Sequence, residues 1–248
     1  MSSIIGKMTK SGIFFREALF DLCFPPFCLS CNESLEDSRV LFCEDCFGKI
    51  KFINEPYCIC CGRIYSSGEN HFCSHCLKKG WHFQRARAVV IYTETVSGAI
   101  HAFKFRGRKV ALHTFQKMKE QSLCCRDLVE PDIIIPVPLH SRRLRKRGFN
   151  QALLLARLFF PAEKGKIKKN LLQRQRDTIS QTGLDGMARR KNMRDAFVVC
   201  LPDQVRGKNI ILVDDVFTTG TTVNECARVL MSAGAKQVDV LTLARVDK

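Results

Sequence analysis

The sequence predicts an α/β fold: a mostly parallel sheet with flanking helices, preceded by a small cysteine-rich module. Three observations carry this. Apolar runs recur at residues 88–92, 132–137, 209–213 and 237–245; near-continuous apolar strands are what a sheet covered on both faces requires. Segments of helical periodicity separate these runs, and strands alternating with helices form parallel sheets. Ten of the 14 cysteines fall between Cys23 and Cys76. The chain's 248 residues accommodate a larger domain over 81–248, a module over 23–80 and a leading segment over 1–22.

In the leading segment, Ile13, Phe14, Ala18 and Leu22 lie near helical spacing, which predicts a short helix. Lys7, Lys10, Arg16, Glu17 and Asp21 interrupt its apolar residues, so a secretory leader is not expected. No stretch approaches the roughly 18 uninterrupted apolar residues of a spanning helix. Composition is that of a globular protein, with 46% hydrophobic and 26% charged residues. A cytoplasmic protein without stable membrane insertion is therefore expected.

In the cysteine module, eight residues form four Cys-x-x-Cys pairs: Cys28/Cys31, Cys43/Cys46, Cys58/Cys61 and Cys73/Cys76. Eleven residues separate Cys31 from Cys43, and eleven separate Cys61 from Cys73. A two-residue spacer lets both sulfurs of a turn point at one ion, and two such turns close a tetrahedral thiolate site for zinc. In a chain without an export signal this pattern means metal rather than disulfides. Sequential pairing is the simplest assignment; interleaved and nested pairings are equally consistent with the spacing. Gly62 suits a tight metal turn and selects Cys61 over Cys60 as partner of Cys58. Cys23 and Cys60 are read as packing residues, and His71 and His75 as neighbours of the sites rather than ligands. All-thiolate sites are structural: a module this short and poor in aliphatics folds on metal binding.

Beyond residue 80, residues 88–92 predict a strand and 95–105 a helix. Residues 132–137 read as a buried strand and 150–160 as an apolar helix. A second buried strand at 209–213 is followed by an amphipathic helix at 222–233, which Gly234 ends. Residues 237–245 form the last strand.

The strand at 209–213 leads into Asp214-Asp215-Val216-Phe217-Thr218-Thr219-Gly220-Thr221-Thr222. Two adjacent carboxylates are costly to bury, so they are expected to face a cleft. In open α/β sheets ligands bind beyond the carboxyl ends of strands. A turn entering a helix N-terminus offers amide donors and the positive dipole end to an anion. Thr218, Thr219, Gly220, Thr221 and Thr222 suit a phosphate; Asp214 and Asp215 suit sugar hydroxyls or hydrated Mg²⁺. The local chemistry is that of a sugar-phosphate site. The segment resembles the 5-phosphoribosyl-1-pyrophosphate (PRPP) motif of type I phosphoribosyltransferases. That resemblance implies ribose contacts for the two aspartates, a 5′-phosphate on the turn, and Mg²⁺ with PRPP.

The strand at 132–137 runs through Pro136 and Pro138 into a loop with five cations in six residues: Arg142, Arg143, Arg145, Lys146 and Arg147. Guanidinium groups pair bidentately with phosphate, which suits pyrophosphate or a nucleic-acid backbone. From residue 139 to 208 there are 18 Lys+Arg against 5 Asp+Glu, out of 40 against 24 in the whole chain. The formal net charge of +16 attracts polyanions.

Together, the paired cysteines, Tyr92 with Phe103-Lys104-Phe105-Arg106-Gly107, Pro136-Val137-Pro138-Leu139, Arg147-Gly148-Phe149-Asn150-Gln151, Arg176-x-Thr178-x-x-Gln181, Arg189-x-x-Asn192 and the acidic motif resemble the ComF/GntX family of competence-related proteins. The resemblance implies a double zinc ribbon, with two structural zinc ions, before a type I phosphoribosyltransferase-like domain. It also implies a role in handling single-stranded DNA during natural transformation, with partners among competence or recombination proteins. It does not attach a reaction. An active phosphoribosyltransferase of nucleotide salvage is the alternative reading, and a zinc-stabilised adaptor the third. Phe149, Trp81 and Phe105 are the candidate base-stacking residues.

Overall fold

The computed structural model describes residues 26–106, 110–123, 126–176 and 195–247. The expected N-terminal helix, Cys23, and the basic stretch from Asp177 to Asn192 lie outside them.

Four strands form one parallel sheet: β1 (Arg85–Ile91), β2 (Ile133–Pro136), β5 (Asn209–Phe217) and β6 (Gln237–Arg245), in the order β1-β6-β5-β2. A separate antiparallel pair joins β3 (Leu172–Arg174) to β4 (Phe197–Val199). The helices are α1 (Glu44–Gly48), α2 (Ser74–Lys78), α3 (Glu94–Arg106), α4 (Val110–Gln121), α5 (Ser141–Arg147), α6 (Gln151–Phe159), α7 (Pro202–Val205) and α8 (Thr221–Ser232). Among the described residues, no helix is long and apolar enough to cross a membrane.

Side-chain alternation explains the unbroken apolar strands. Ile211 and Val213 of β5, with Leu241 and Leu243 of β6, face one core; Ile210 and Leu212, with Val238 and Val240, face the other. The first core takes Val96, Ile100 and Phe103 from α3, Phe115 and Met118 from α4, and Leu155 and Phe159 from α6. The second takes Val223, Ala227 and Leu230 from α8 and Phe197 from β4.

The cysteine module straddles this sheet. Cys28, Leu35, Leu41, Phe42, Cys46 and Ile50 join the first core, whereas Cys58, Cys60, Cys61 and Cys73 join the second. The chain crosses from one face to the other along the open edge of β1. There the Ile91 amide donates to Lys51 O at 2.8 Å, and the Ala86 amide to Cys60 O at 2.7 Å. An uncovered edge strand invites foreign pairing, and the module covers it. A segment unable to build its own core thus borrows both faces of a larger one.

Some segments differ from expectation; β1, expected over 88–92, spans Arg85–Ile91. The cationic residues expected in a loop form α5, which starts after His140 and ends where the Gly148 amide meets Leu144 O at 2.8 Å. Strand β5 runs past Val213 to Phe217, because pairing with β6 continues to the Phe217–Arg245 register position.

Candidate functional site

The end of β5 sets the geometry. The alternation that sends Val213 to the first core sends Asp215 the same way, where it is 6% exposed and pairs with Lys104 Nζ of α3. Asp214 falls on the opposite side, and its Oδ1 accepts the Asp215 amide at 2.9 Å. Burial first, then the neighbouring Asp215 charge, push the Asp214 carboxyl well above the usual carboxylate range. Burial also acts to raise Asp215, but the Lys104 ammonium outweighs it and holds this carboxyl below its ordinary value. One member of the pair is thus kept ionised and the other biased toward its protonated form. Arg147 also faces the pair: burial lowers its pKa, while the charges of Asp215 and Asp214 oppose that shift.

Asp215 gives a pH prediction with a definite sign. Its folded value is depressed, so its stabilisation is complete above the unfolded carboxyl value and is lost as pH falls through the folded one. Lys104→Met leaves the buried charge without its partner. It is expected to cost about 3 kcal/mol at pH 7 and to flatten the acid limb of the stability profile. Urea melts of both proteins at pH 7 and pH 3 check this.

After Phe217 the chain makes the hydroxyl-rich turn. Gly220 is the N-cap of α8 at φ 70°, and no N-cap side chain closes the first turn. The Thr219 and Thr221 hydroxyl oxygens lie 2.8 Å apart, and Thr218 is exposed. Thr222 is partly buried in that same first turn. The structure therefore brings Asp214, Asp215, Thr218, Thr219, Gly220, Thr221 and Thr222 together where β5 ends and α8 begins.

The cation cluster divides. Arg147 turns inward and donates to Gln151 Oε1 at 2.5 Å, whereas Arg142, Arg145 and Lys146 are exposed on α5 and Arg143 is partly exposed. The following residues fix this arrangement. Asn150 caps α6, accepting the Ala152 amide at 2.9 Å, while its Nδ2 donates to Val137 O at 3.1 Å. Phe149 packs 5.6 Å from Phe103, so it serves the core as much as any ligand.

The cysteines form two tetrads, Cys28/Cys31/Cys43/Cys46 and Cys58/Cys61/Cys73/Cys76, each with its ligand atoms within 4.8 Å of one another. A tetrahedral ion with sulfur at about 2.3 Å sets sulfur–sulfur separations near 3.8 Å. The Cys31–Cys43 and Cys61–Cys73 sulfurs are 3.7 and 3.8 Å apart, so both tetrads fit closed zinc sites. The pairing is sequential. Gly62, at φ 69°, lies so close to Ala86 O that an added Cβ would sit 2.7 Å from it. Cys60 is buried in the second core, and neither His71 nor His75 belongs to a tetrad. Zinc held by either tetrad would be structural, because four thiolates leave no open position.

Sequence reasoning quoted Lys104 without a role and missed Arg245. Arg245 Nη1 donates to Cys61 O, and its guanidinium lies 4.9 Å over the Phe217 ring. Trp81 packs against the turn rather than standing open for a base.

Comparison with known proteins places this geometry. Residues 19–77 match the model of the double zinc ribbon domain, and residues 158–248 that of the phosphoribosyl transferase domain. The chain is 32% identical to Competence protein F of Haemophilus influenzae over 225 residues, covering 88% of this chain and 96% of that protein. It is 36% identical to DNA utilization protein YhgH of Escherichia coli K12 over 177 residues, covering 70% and 77%. Competence protein ComFC of Bacillus subtilis is 29% identical over 244 residues, covering 88% and 94%.

Proposed function

The chain belongs to the competence protein family that includes Competence protein F, ComFC and YhgH, and from that premise we propose that it binds PRPP with Mg²⁺ and handles single-stranded DNA in the cytoplasm during natural transformation. One observation carries the PRPP reading: an acid pair and an uncapped helix N-terminus meet at the carboxyl end of β5. The turn from Thr218 to Thr222 holds the 5′-phosphate, and the aspartates hold ribose hydroxyls and a hydrated Mg²⁺, which supplies positive charge to the pyrophosphate. Arg147, beside the aspartates, adds a fixed cation for that pyrophosphate. Cys28, Cys31, Cys43 and Cys46 ligate one zinc, and Cys58, Cys61, Cys73 and Cys76 the other.

The exposed cations of α5 support DNA handling, since they neutralise backbone phosphate and release counterions. Arg143→Glu/Arg145→Glu is expected to weaken oligonucleotide binding. Losing two phosphate contacts lowers the slope of log affinity against log salt by about 1.4. Fluorescence anisotropy across a salt series measures this, and an unchanged slope excludes α5 as the contact surface.

The position of Arg147 beside the acid pair also favours a second reading, an active phosphoribosyltransferase, because a cation there stabilises departing pyrophosphate. Pyrophosphate release from PRPP across a panel of bases separates the two. Silence across the panel with PRPP binding intact supports the DNA-handling role.

A further inference from the structure

We propose that Trp81 is a positioning residue that ties the second zinc ribbon to the phosphate turn, so that zinc in that ribbon and an anion on the turn stabilise one another. The inference rests on the sugar-phosphate reading of the turn for its ligand, though not for its structural half.

Trp81 lies between the two sites. Its Nε1 donates to Cys76 Sγ at 3.3 Å, a sulfur of the second tetrad. Its far ring edge meets the turn so closely that a Cβ added to Gly220 would lie 2.8 Å from two ring carbons. The ring is held in place by Phe83 at 4.7 Å, Phe217 at 6.2 Å and Lys79 Nζ 3.6 Å above it. Two flanking contacts repeat the connection. The His82 amide donates to Asn224 Oδ1 of α8 at 2.8 Å, and Arg245, paired in register with Phe217, donates to Cys61 O. The strand leading into the turn is therefore tied to the second tetrad through its β6 neighbour, and the helix leaving it to the residue that follows Trp81. The first ribbon packs on the opposite face of the sheet.

A thiolate bound to zinc keeps a fixed position and remains a hydrogen-bond acceptor, so the metal holds the indole and the indole holds the turn. Linkage is reciprocal: an anion that requires the ordered turn must favour the metal-loaded ribbon. Trp81 is the chain's single tryptophan, so its emission reports on both sites without a label.

The test uses the full chain and reads hydrogen exchange of the amides from Thr218 to Thr222, zinc per chain, and PRPP affinity. Trp81→Phe keeps an aromatic ring but loses the donor to Cys76, and Trp81→Ala removes both contacts. Cys76→Ser disturbs the second tetrad and Cys46→Ser the first. The expected result is turn exchange faster by about tenfold, and PRPP affinity lower by a similar factor, in Trp81→Ala, graded through Trp81→Phe and retaining two zinc ions. Loss of either zinc destabilises the whole fold, so each cysteine variant is read against its own melting temperature: Cys76→Ser speeds turn exchange beyond that general loss, and Cys46→Ser does not. Unchanged turn exchange in both Trp81 variants, or equal responses to the two cysteine variants, overturns the proposal. Wild-type protein that ignores PRPP while its turn still loosens in Trp81→Phe refutes the sugar-phosphate reading and leaves the structural tie standing.

Discussion

Gly220→Ala is expected to abolish PRPP binding and to cost about 3 kcal/mol of stability. Two terms add. The residue sits at φ 70°, where an L side chain costs about 1–2 kcal/mol. The new Cβ would also lie 2.6 Å from Phe217 Cζ and 2.8 Å from the Trp81 ring. Overpacking of this kind costs about 1–3 kcal/mol. Neither ring has an easy retreat. Phe217 is buried under Arg245, and Trp81 is hydrogen-bonded to Cys76. The turn must therefore yield, and its amides lose the arrangement an anion needs. Thermal melts and PRPP titration of the same preparation check both effects. A variant that melts with the wild type and binds PRPP normally would show that the turn does not depend on this close approach.

Chelation of zinc is expected to unfold much more than the ribbons. Structural zinc contributes roughly 10–16 kcal/mol in isolated ribbon-sized peptides. Here the tetrads also anchor groups that complete both cores: Leu41, Phe42 and Ile50 on one face of the sheet, Cys60 and Phe83 on the other. Arg87, buried in β1, depends on the module as well, because its guanidinium donates to Ile59 O at 2.9 Å and pairs with Asp127. Without the ribbons that cation loses carbonyl partners, and the edge of β1 is laid open. The expected outcome is loss of the cooperative melting transition and aggregation when a strong chelator is added, reversed by zinc. A chelated protein that keeps a sharp transition would mean that the sheet and its helices are stable alone.

The sequence made the two strong periodicities readable. Near-continuous apolar runs disclosed β2 and the first part of β5, since strands buried on both faces need little polar alternation; β6 was read from Val238, Val240, Leu241 and Leu243 despite the buried Asp239 and Thr242 among them. The apolar stripe Val223, Cys226, Ala227, Leu230 and Met231 disclosed α8; the first four are buried, whereas Met231 is exposed. The Cys-x-x-Cys spacing located both tetrads but left their pairing open, because spacing fixes each turn and not which turns converge. The residues missed act across long sequence separations. Lys104 of helix α3 reaches Asp215 of strand β5, and Arg245 reaches Cys61 across 184 positions. No local pattern marks such contacts. The helix α4 was legible in principle, as Ala111, Phe115 and Met118 share its buried face, but polar residues between them dilute the signal. The three-residue strands β3 and β4 are too short to show a period at all.

On the proposed reading, Asp214, Asp215 and the turn after them form the seat of a phosphoribosyl ligand. Calorimetric titration of PRPP with Mg²⁺ into the full chain and into Asp214→Asn/Asp215→Asn tests it most directly. The expected result is one ligand per chain for the wild type and no measurable heat for the double variant, with both zinc ions retained. Equal binding by the two proteins would contradict it.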